Sequence, residues 1–326
     1  MSSARDTSNQ TDITKFKLEA DGSLKRPESS FRNFIERGGD FEPEVGRYHL
    51  YVSYACPWAH RTLIVRKLKG LEDFIDVTVV SPRMGSHGWP FASVDSFPGA
   101  DTDPLFESEH IKDVYLHVDP NYGGRFTVPV LFDKKRDIIV NNESSEIIRM
   151  FNTAFNHLLP ADKASVDLYP ENLRAEIDQL NACVYNDINN GVYKSGLATS
   201  SDAYRAAVVK VFEGLDRVES ILSGRTYLIG DQLTEADVRL FVTIIRFDPV
   251  YVGHFKCNLK TIRHGYPAIN LWLRRLYWGN DVFRSTTNFD HIKTHYYWSH
   301  ITINPHRIVP IGPVPLIEPL DGDEDA

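Results

Sequence analysis

A short apolar strand that runs into a helix opened by proline, with one cysteine at the joint, constrains this chain more than any other feature. Tyr48, Leu50 and Val52 alternate with Arg47, His49 and Tyr51, the period of a strand whose two faces differ. Pro57 suits the first position of a helix, where its missing N–H is not needed. Cys56 then stands at that helix's N-terminus. Unpaired backbone N–H groups and the helix dipole favour a negative sulfur there, and cysteines so placed drop from about 8.5 to roughly 3.5–7.5 in pKa. A thiolate at neutral pH is the expectation. The competing reading is a cysteine that only fills space, the commoner fate of a lone intracellular thiol. The strand, turn and Pro-first helix argue against it. Ala59 stands three positions on, so no C-x-x-C partner closes an internal disulfide, and a disulfide at Cys56 must be resolved by another molecule's thiol.

The rest of the composition narrows the setting. With 326 residues the chain has room for two domains, and an apolar fraction of 42% is that of a globular protein. A formal charge of −8 without a long basic stripe speaks against nucleic acid as a partner. No apolar run approaches the roughly 20 residues a membrane span needs, and residues 1–30 are polar with mixed charge. The expected compartment is the cytoplasm. Cys56, Cys183 and Cys257 are too few and scattered for a disulfide framework, and the last two read as structural.

Residues 1–40 read as an extended arm with an aromatic foothold at Phe31 and Phe34. An α/β domain over 41–160 follows. Its helix from Pro57 carries Ile64, Leu68 and Leu71 on one face, and Ile75, Val77 and Val79 alternate as a second strand. Residues 81–126, rich in Gly, Pro, Asp and aromatics with weak periodicity, read as a functional insertion. In Thr127–Asp133, Pro129 sits within a strand-like run and demands an edge, a bulge or a cis bond. A cis bond would free the Val128 backbone to pair with an extended ligand. Ile138–Val140 return as a short strand. Glu143 and Ser144 precede the apolar positions Ile147, Ile148 and Phe151, a helix start able to receive an anion, with Glu143 suited to an amino group and Ser144 to a carboxylate. Taken alone this is only a cap.

From about Ser165 the pattern turns helical, with Leu173, Ile177 and Leu180 sharing a face and Val208, Val211, Phe212 and Leu215 sharing another. An all-α domain over 161–300 is predicted, then an extension over 301–326 whose acidic end, 321–326, reads as disordered. Thr234 with Asp237 forms a capping box, flanked by Leu233 and Val238 as a staple, a folding device rather than chemistry. His291 and His295, four apart, invite a metal. No H-E-x-x-H pattern or cysteine cluster accompanies them, so they read as surface or interface residues and no metal is expected.

Together, CPWAHR at 56–61, GWPF at 88–91, NNESSEIIRM at 141–150, NNGVYKSGLA at 189–198, FDPVYVGHFKCN at 247–258 and IKTHYYWSH at 292–300 resemble the glutathione transferase superfamily, and within it the Xi class, the glutathionyl-hydroquinone reductases. The resemblance runs from about residue 35 to 315. It implies a thioredoxin-like N-terminal domain followed by an all-α domain, and a homodimer made through the helical domains. It also implies Cys56 as the catalytic residue and glutathione as co-substrate. Trp89 would lie beside the glutathione, Val128 would pair with its cysteinyl backbone, and Glu143 and Ser144 would hold its γ-glutamyl end. Arg125 would meet the glycyl carboxylate. Tyr193, Tyr251 and the pair Tyr296 and Tyr297 match tyrosines that surround the substrate, and the sequence does not say which of the pair faces the pocket. For one isolated Tyr, core packing would win; three tyrosine-bearing motifs favour a pocket.

The implied reaction takes glutathione off a glutathionyl-hydroquinone. Cys56 attacks the glutathione sulfur, and phenols such as Tyr193, Tyr251 and Tyr296 stabilise the departing ring as an enolate. Two alternatives stay open. An omega-like thioltransferase, or a dehydroascorbate or glutathionyl-ketone reductase, would use the same Cys56, and a non-catalytic interaction module would use none of it.

Overall fold

The structure is a computed structural model and describes residues 19–24 and 28–320. The acidic end expected to be disordered lies outside the described residues. Four strands form one sheet: β1 (Tyr48–Val52), β2 (Ile75–Val79), β3 (Val130–Asp133) and β4 (Ile138–Asn141), in the order β2-β1-β3-β4. β1 runs parallel to β2 and antiparallel to β3, with Leu50 level with Val77 and Leu131.

The two-faced strand expected at β1 is corrected by its burial, which is complete at all five positions. Both faces are covered, as in strands packed between helices. Its polar side chains survive inside because each tip finds a partner. His49 Nε2 meets Thr78 Oγ1 at 2.8 Å, and Tyr51 donates to Asp103 at 2.9 Å. Just ahead of the strand, the buried Arg47 forks onto Asp133 at 2.9 and 2.6 Å.

α1 (Pro57–Leu68) crosses from β1 to β2, and α3 (Ser144–Thr153) follows β4 and packs against α1. The segment 81–126, read as weakly periodic, contains α2 (Ile111–Val118). That helix is short, and its start is signalled by an unusual cap: the His110 backbone N–H donates to Asp113 Oδ2 at 2.8 Å. The true long connection is therefore residues 80–110. It is clamped to the helical half, and the histidines do the clamping. His291 Nε2 bonds the Pro98 carbonyl at 2.8 Å and His295 Nδ1 the Pro82 carbonyl at 3.0 Å, while Ser299 Oγ donates to Pro82 O at 3.1 Å. Both histidines are buried, which corrects the surface reading.

The arm lies along the open edge of β4. Asn33 N–H bonds Val140 O at 3.0 Å and Asn142 N–H bonds Phe31 O at 3.1 Å, so the edge strand's free groups are paired. Phe31 is a true foothold, 5.8 Å from Tyr115 and 5.5 Å from Tyr122 between ring centres. Phe34 is not. It is 44% exposed, and its neighbour Ile35 enters the core instead.

The helical half comprises α4 (Ala161–Ala164), α5 (Arg174–Cys183), α6 (Gly191–Gly196), α7 (Ser201–Leu222), α8 (Glu235–Ile244), α9 (Ile262–Gly265), α10 (Pro267–Gly279), α11 (Asp281–Ser285) and α12 (Phe289–Ser299). Two π-helical turns, Val184–Asn189 and Phe247–Tyr251, widen the chain just before α6 and just after α8. Wide turns of this kind recur at functional sites. Val208, Val211, Phe212 and Leu215 are all buried along α7. The box at α8 forms as the spacing predicts: Asp237 Oδ2 receives Thr234 N–H at 3.0 Å, and Oδ1 also takes Leu228 N–H and Trp272 Nε1–H at 3.0 Å. A cap of this kind is worth about 1 kcal/mol. α1 packs on α8 and α11, which joins the two halves along the helix that begins at Cys56. Among the described residues no helix is long and apolar enough to cross a membrane.

Candidate active site

Cys56 is the N-cap of α1, with extended backbone at φ −76° and ψ 120° and proline following it. A tight turn leads in, closed by Cys56 N–H on Ser53 O at 3.2 Å. The half-buried thiol donates to Val128 O at 3.4 Å. Val128–Pro129 is a cis peptide, and β3 begins only at Val130. The cis bond is thus the choice made among the three that Pro129 allowed. It sets the Val128 backbone against the sulfur, outside the sheet's hydrogen-bond ladder.

Glu143 caps α3. Its Oε1 accepts from Ser145 N–H at 3.1 Å and Ser145 Oγ at 2.9 Å, and its Oε2 accepts from Ser29 of the arm at 3.1 Å. Burial works to raise this carboxyl, but the Ser145 bonds, the charge of Arg61 and the Ser29 bond outweigh it and hold the group below its ordinary value. Ser144 is buried, and its Oγ accepts from Arg61 at 3.3 Å. Arg61, in the second turn of α1, also donates to Asn189 Oδ1 at 2.8 Å. A guanidinium therefore backs the helix start expected to receive a carboxylate. Nothing in the sequence singles out Arg61 except its place in CPWAHR. Arg125 is half-buried, with its carbonyl on Tyr122. Trp89 is buried and stacked on His295 at 4.3 Å, next to Tyr296 on α12.

The three tyrosine motifs converge. Tyr193 of α6 and Tyr296 of α12 share a hydrogen bond of 2.5 Å, and Tyr251, at the end of the second π turn, joins Tyr296 at 2.9 Å. Burial, then the charge of a neighbouring tyrosine, pushes all three phenols well above the ordinary value, so they are neutral donors at physiological pH. Tyr297 points elsewhere: it is half-buried and donates to Pro249 O at 3.3 Å, outside the hydroxyl cluster. Trp58, two residues after Cys56, packs on Tyr193 with ring centres 5.1 Å apart, and Tyr193 in turn lies within reach of the charge of Cys56. The sequence reading missed Trp58. Its only signal was its place in CPWAHR, because side chains two apart at a helix start do not face the same way.

Among the described residues no group of three or more His, Cys, Asp or Glu is arranged to hold a metal ion. Cys257 is fully buried, and burial pushes its thiol up to about 12.

Residues 55–154 match the family model for the glutathione S-transferase N-terminal domain, and residues 201–275 match that for the C-terminal domain. "Glutathione S-transferase omega-like 2" of Schizosaccharomyces pombe is 56% identical over 95% of this chain and 99% of its own length. "Glutathionyl-hydroquinone reductase YqjG" of Escherichia coli is 55% identical over 90% of this chain and 89% of its own. The glutathione-bound structure of YqjG superposes with a TM-score of 0.84, at 54% identity over 89% of this chain and 95% of that one. The crystal structure of glutathione S-transferase Xi from Phanerochaete chrysosporium superposes with a TM-score of 0.94, at 71% identity over 96% of this chain and 99% of that one. A thioredoxin-like sheet with its cis proline, a helical half that carries the tyrosines, and likeness along nearly the whole length lead to one conclusion: the chain belongs to the glutathione S-transferase family, in its Xi class.

Proposed function

We propose that this protein is a glutathione-dependent reductase that removes glutathione from glutathionyl-hydroquinones through a mixed disulfide at Cys56, releasing hydroquinone and glutathione disulfide. One observation carries the reading: a cysteine at a helix N-terminus lies close enough to a cluster of three neutral phenols for its charge to act on Tyr193. A hydroxyl in place of Cys56 would serve to activate glutathione for conjugation. Only sulfur accepts glutathione covalently. The name of the Escherichia coli relative and its glutathione-bound structure support the same substrate class.

In the proposed reaction the Cys56 sulfur attacks the glutathione sulfur of the conjugate. The S–S bond forms as the S–C bond breaks, and the electron pair passes through the ring in its keto form onto oxygen, as an enolate. Donors preorganised at that oxygen are worth most when charge develops on it. Tyr193, Tyr251 and Tyr296 supply them; the ring carbon already carries the proton it gained in forming the keto tautomer, and the enolate oxygen, now that of the aromatic hydroquinone, takes up a proton. A second glutathione, as thiolate, attacks the mixed disulfide, forms glutathione disulfide and returns the Cys56 anion. The tripeptide would lie with its γ-glutamyl end at Glu143 and Ser144, its cysteinyl backbone on Val128, its glycyl end toward Arg125 and Trp89 alongside.

The reading includes a cytoplasmic setting and a homodimer through the helical half, which sedimentation in solution checks. The test of the activity is steady-state turnover of a panel of glutathionyl-hydroquinones beside a small glutathione mixed disulfide, with Cys56→Ser as control. The conjugates should be preferred and the variant inactive on both. A preference for the mixed disulfide would favour an omega-like thioltransferase, and no turnover with no glutathione affinity would favour a non-catalytic module.

A further inference from the structure

Arg246 lies between α8 and the second π turn with its side chain fully buried. Every partner of its guanidinium among the described residues is neutral. Nε donates to Ala55 O at 3.1 Å, and the two terminal nitrogens donate to Tyr54 O at 2.9 Å, Val242 O at 2.6 Å and His60 Nδ1 at 3.1 Å. Because arginine only donates, His60 accepts through Nδ1, and its Nε2–H is left for Thr286 Oγ1 at 3.1 Å. Burial, then the charge of Arg246, holds His60 well below its ordinary value, so it is neutral. No carboxylate pairs with Arg246 among the described residues. A buried cation without an anion is costly, and a protein that keeps one must balance it somewhere.

The place where it lies shows where the balance comes from. Two of its bonds go to the carbonyls of Tyr54 and Ala55, the residues that lead directly into Cys56, so those oxygens are turned onto the guanidinium. Its own main-chain carbonyl receives Val250 N–H at 3.0 Å and Tyr251 N–H at 3.3 Å, the turn that carries one of the three phenols. A single residue thus ties the nucleophile's turn to the phenol cluster. We infer that Arg246 is the fixed countercharge and positioning residue of Cys56, its buried charge answered by the sulfur anion whenever Cys56 carries no glutathione. This rests on the proposed reading, in which Cys56 works as a thiolate.

The other charged or titratable groups around this turn do not supply the balance. His60 on α1, His295 on α12 and the phenols Tyr193, Tyr251 and Tyr296 are neutral, and Tyr54 is held above its ordinary value by burial. Arg61 faces Ser144 and Asn189, and the carboxylate of Glu143 is held by Ser145, Arg61 and Ser29. Both groups lie close to the cluster: the charge of Arg246 works to lower all three phenols, and the sulfur of Cys56, when negative, works to raise Tyr193.

The test reads the thiol itself. In a Cys183→Ser background, with Cys257 buried, the pH dependence of Cys56 alkylation by iodoacetamide gives its apparent pKa. Arg246→Gln keeps a donor for the carbonyls and removes the charge, and should raise that pKa by about 1 unit or more. Arg246→Lys keeps the charge but loses the fork, and should raise it by less. The inference is overturned if the Gln variant titrates like the parent, if Lys and Gln shift equally, or if the parent's own value is that of an ordinary thiol. Circular dichroism checks folding. If the Gln variant does not fold, the Lys variant decides, an upward shift supporting the inference and an unchanged value overturning it. Turnover of the parent on a glutathionyl-hydroquinone is measured separately: a low thiol pKa with no turnover would sink the proposed function and leave the role of Arg246 standing.

Discussion

Tyr296→Phe removes one oxygen, and that oxygen is the hub of the phenol cluster. Tyr193 and Tyr251 each have Tyr296 as the partner of their hydroxyls, at 2.5 and 2.9 Å, and both are buried. Two hydrogen bonds at about 1 kcal/mol each are lost, and two buried hydroxyls are left to find other partners, so stability should fall by about 2 kcal/mol or somewhat more. Denaturant unfolding measures this, and the variant should remain folded at assay temperature. The catalytic effect is separable. If the cluster stabilises an enolate, losing one preorganised donor should lower kcat on a glutathionyl-hydroquinone by roughly 10²-fold or more. Exchange with a small glutathione mixed disulfide expels a thiolate and needs no such donor, so its rate should stay near the parent's. If both substrates slowed together, the cluster would be scaffolding. If neither slowed, the enolate reasoning would fail.

Gly196→Ala should damage the same site from behind: an added Cβ would come within 2.0 Å of the Phe255 ring, which stacks on Tyr251 and packs on Tyr193, so a stability loss of about 1–3 kcal/mol with reduced conjugate turnover is expected from unfolding curves and kinetics. Glu143→Gln should raise the KM for glutathione about 10-fold or more, if Glu143 makes the proposed charge-assisted contact to the amino group. In the parent, the Glu143 carboxyl is held below its ordinary value near 4.5, so the stability it adds is fully present above that value and lost as pH falls through the lower folded one. Melting curves should show this acid-side loss in the parent and a smaller one in the variant.

What was legible in the sequence was what short-range chemistry decides. The strand, turn and Pro-first helix placed Cys56 at an N-cap, Pro129 announced an unusual backbone, and the Thr234–Asp237 box marked a helix start, all from neighbours within a few residues. The three tyrosine motifs could be seen to belong together only through resemblance, because α6, the second π turn and α12 are brought side by side by packing. Readings went astray where burial depended on distant partners. β1 looked two-faced because His49 and Tyr51 are polar, and they are inside because Thr78 and Asp103 receive them. His291 and His295 read as surface or interface residues, and they are inside because the 80–110 connection offers them carbonyls. α2 was passed over since eight residues in a Gly- and Pro-rich setting carry too little periodicity. Arg246, in the largely apolar stretch from Phe241 to Val250, was visible as the one cation there, two residues from Asp248.

The central claim is that Cys56 takes glutathione from the ring as a covalent step. Mixing the protein with one equivalent of a glutathionyl-hydroquinone, without free glutathione, and following intact mass together with released hydroquinone tests it directly. One reductant-sensitive glutathionyl group on Cys56 should appear with an equal amount of hydroquinone, and neither should appear in Cys56→Ser. Hydroquinone released without the adduct, or with the adduct on Cys183, would contradict the account.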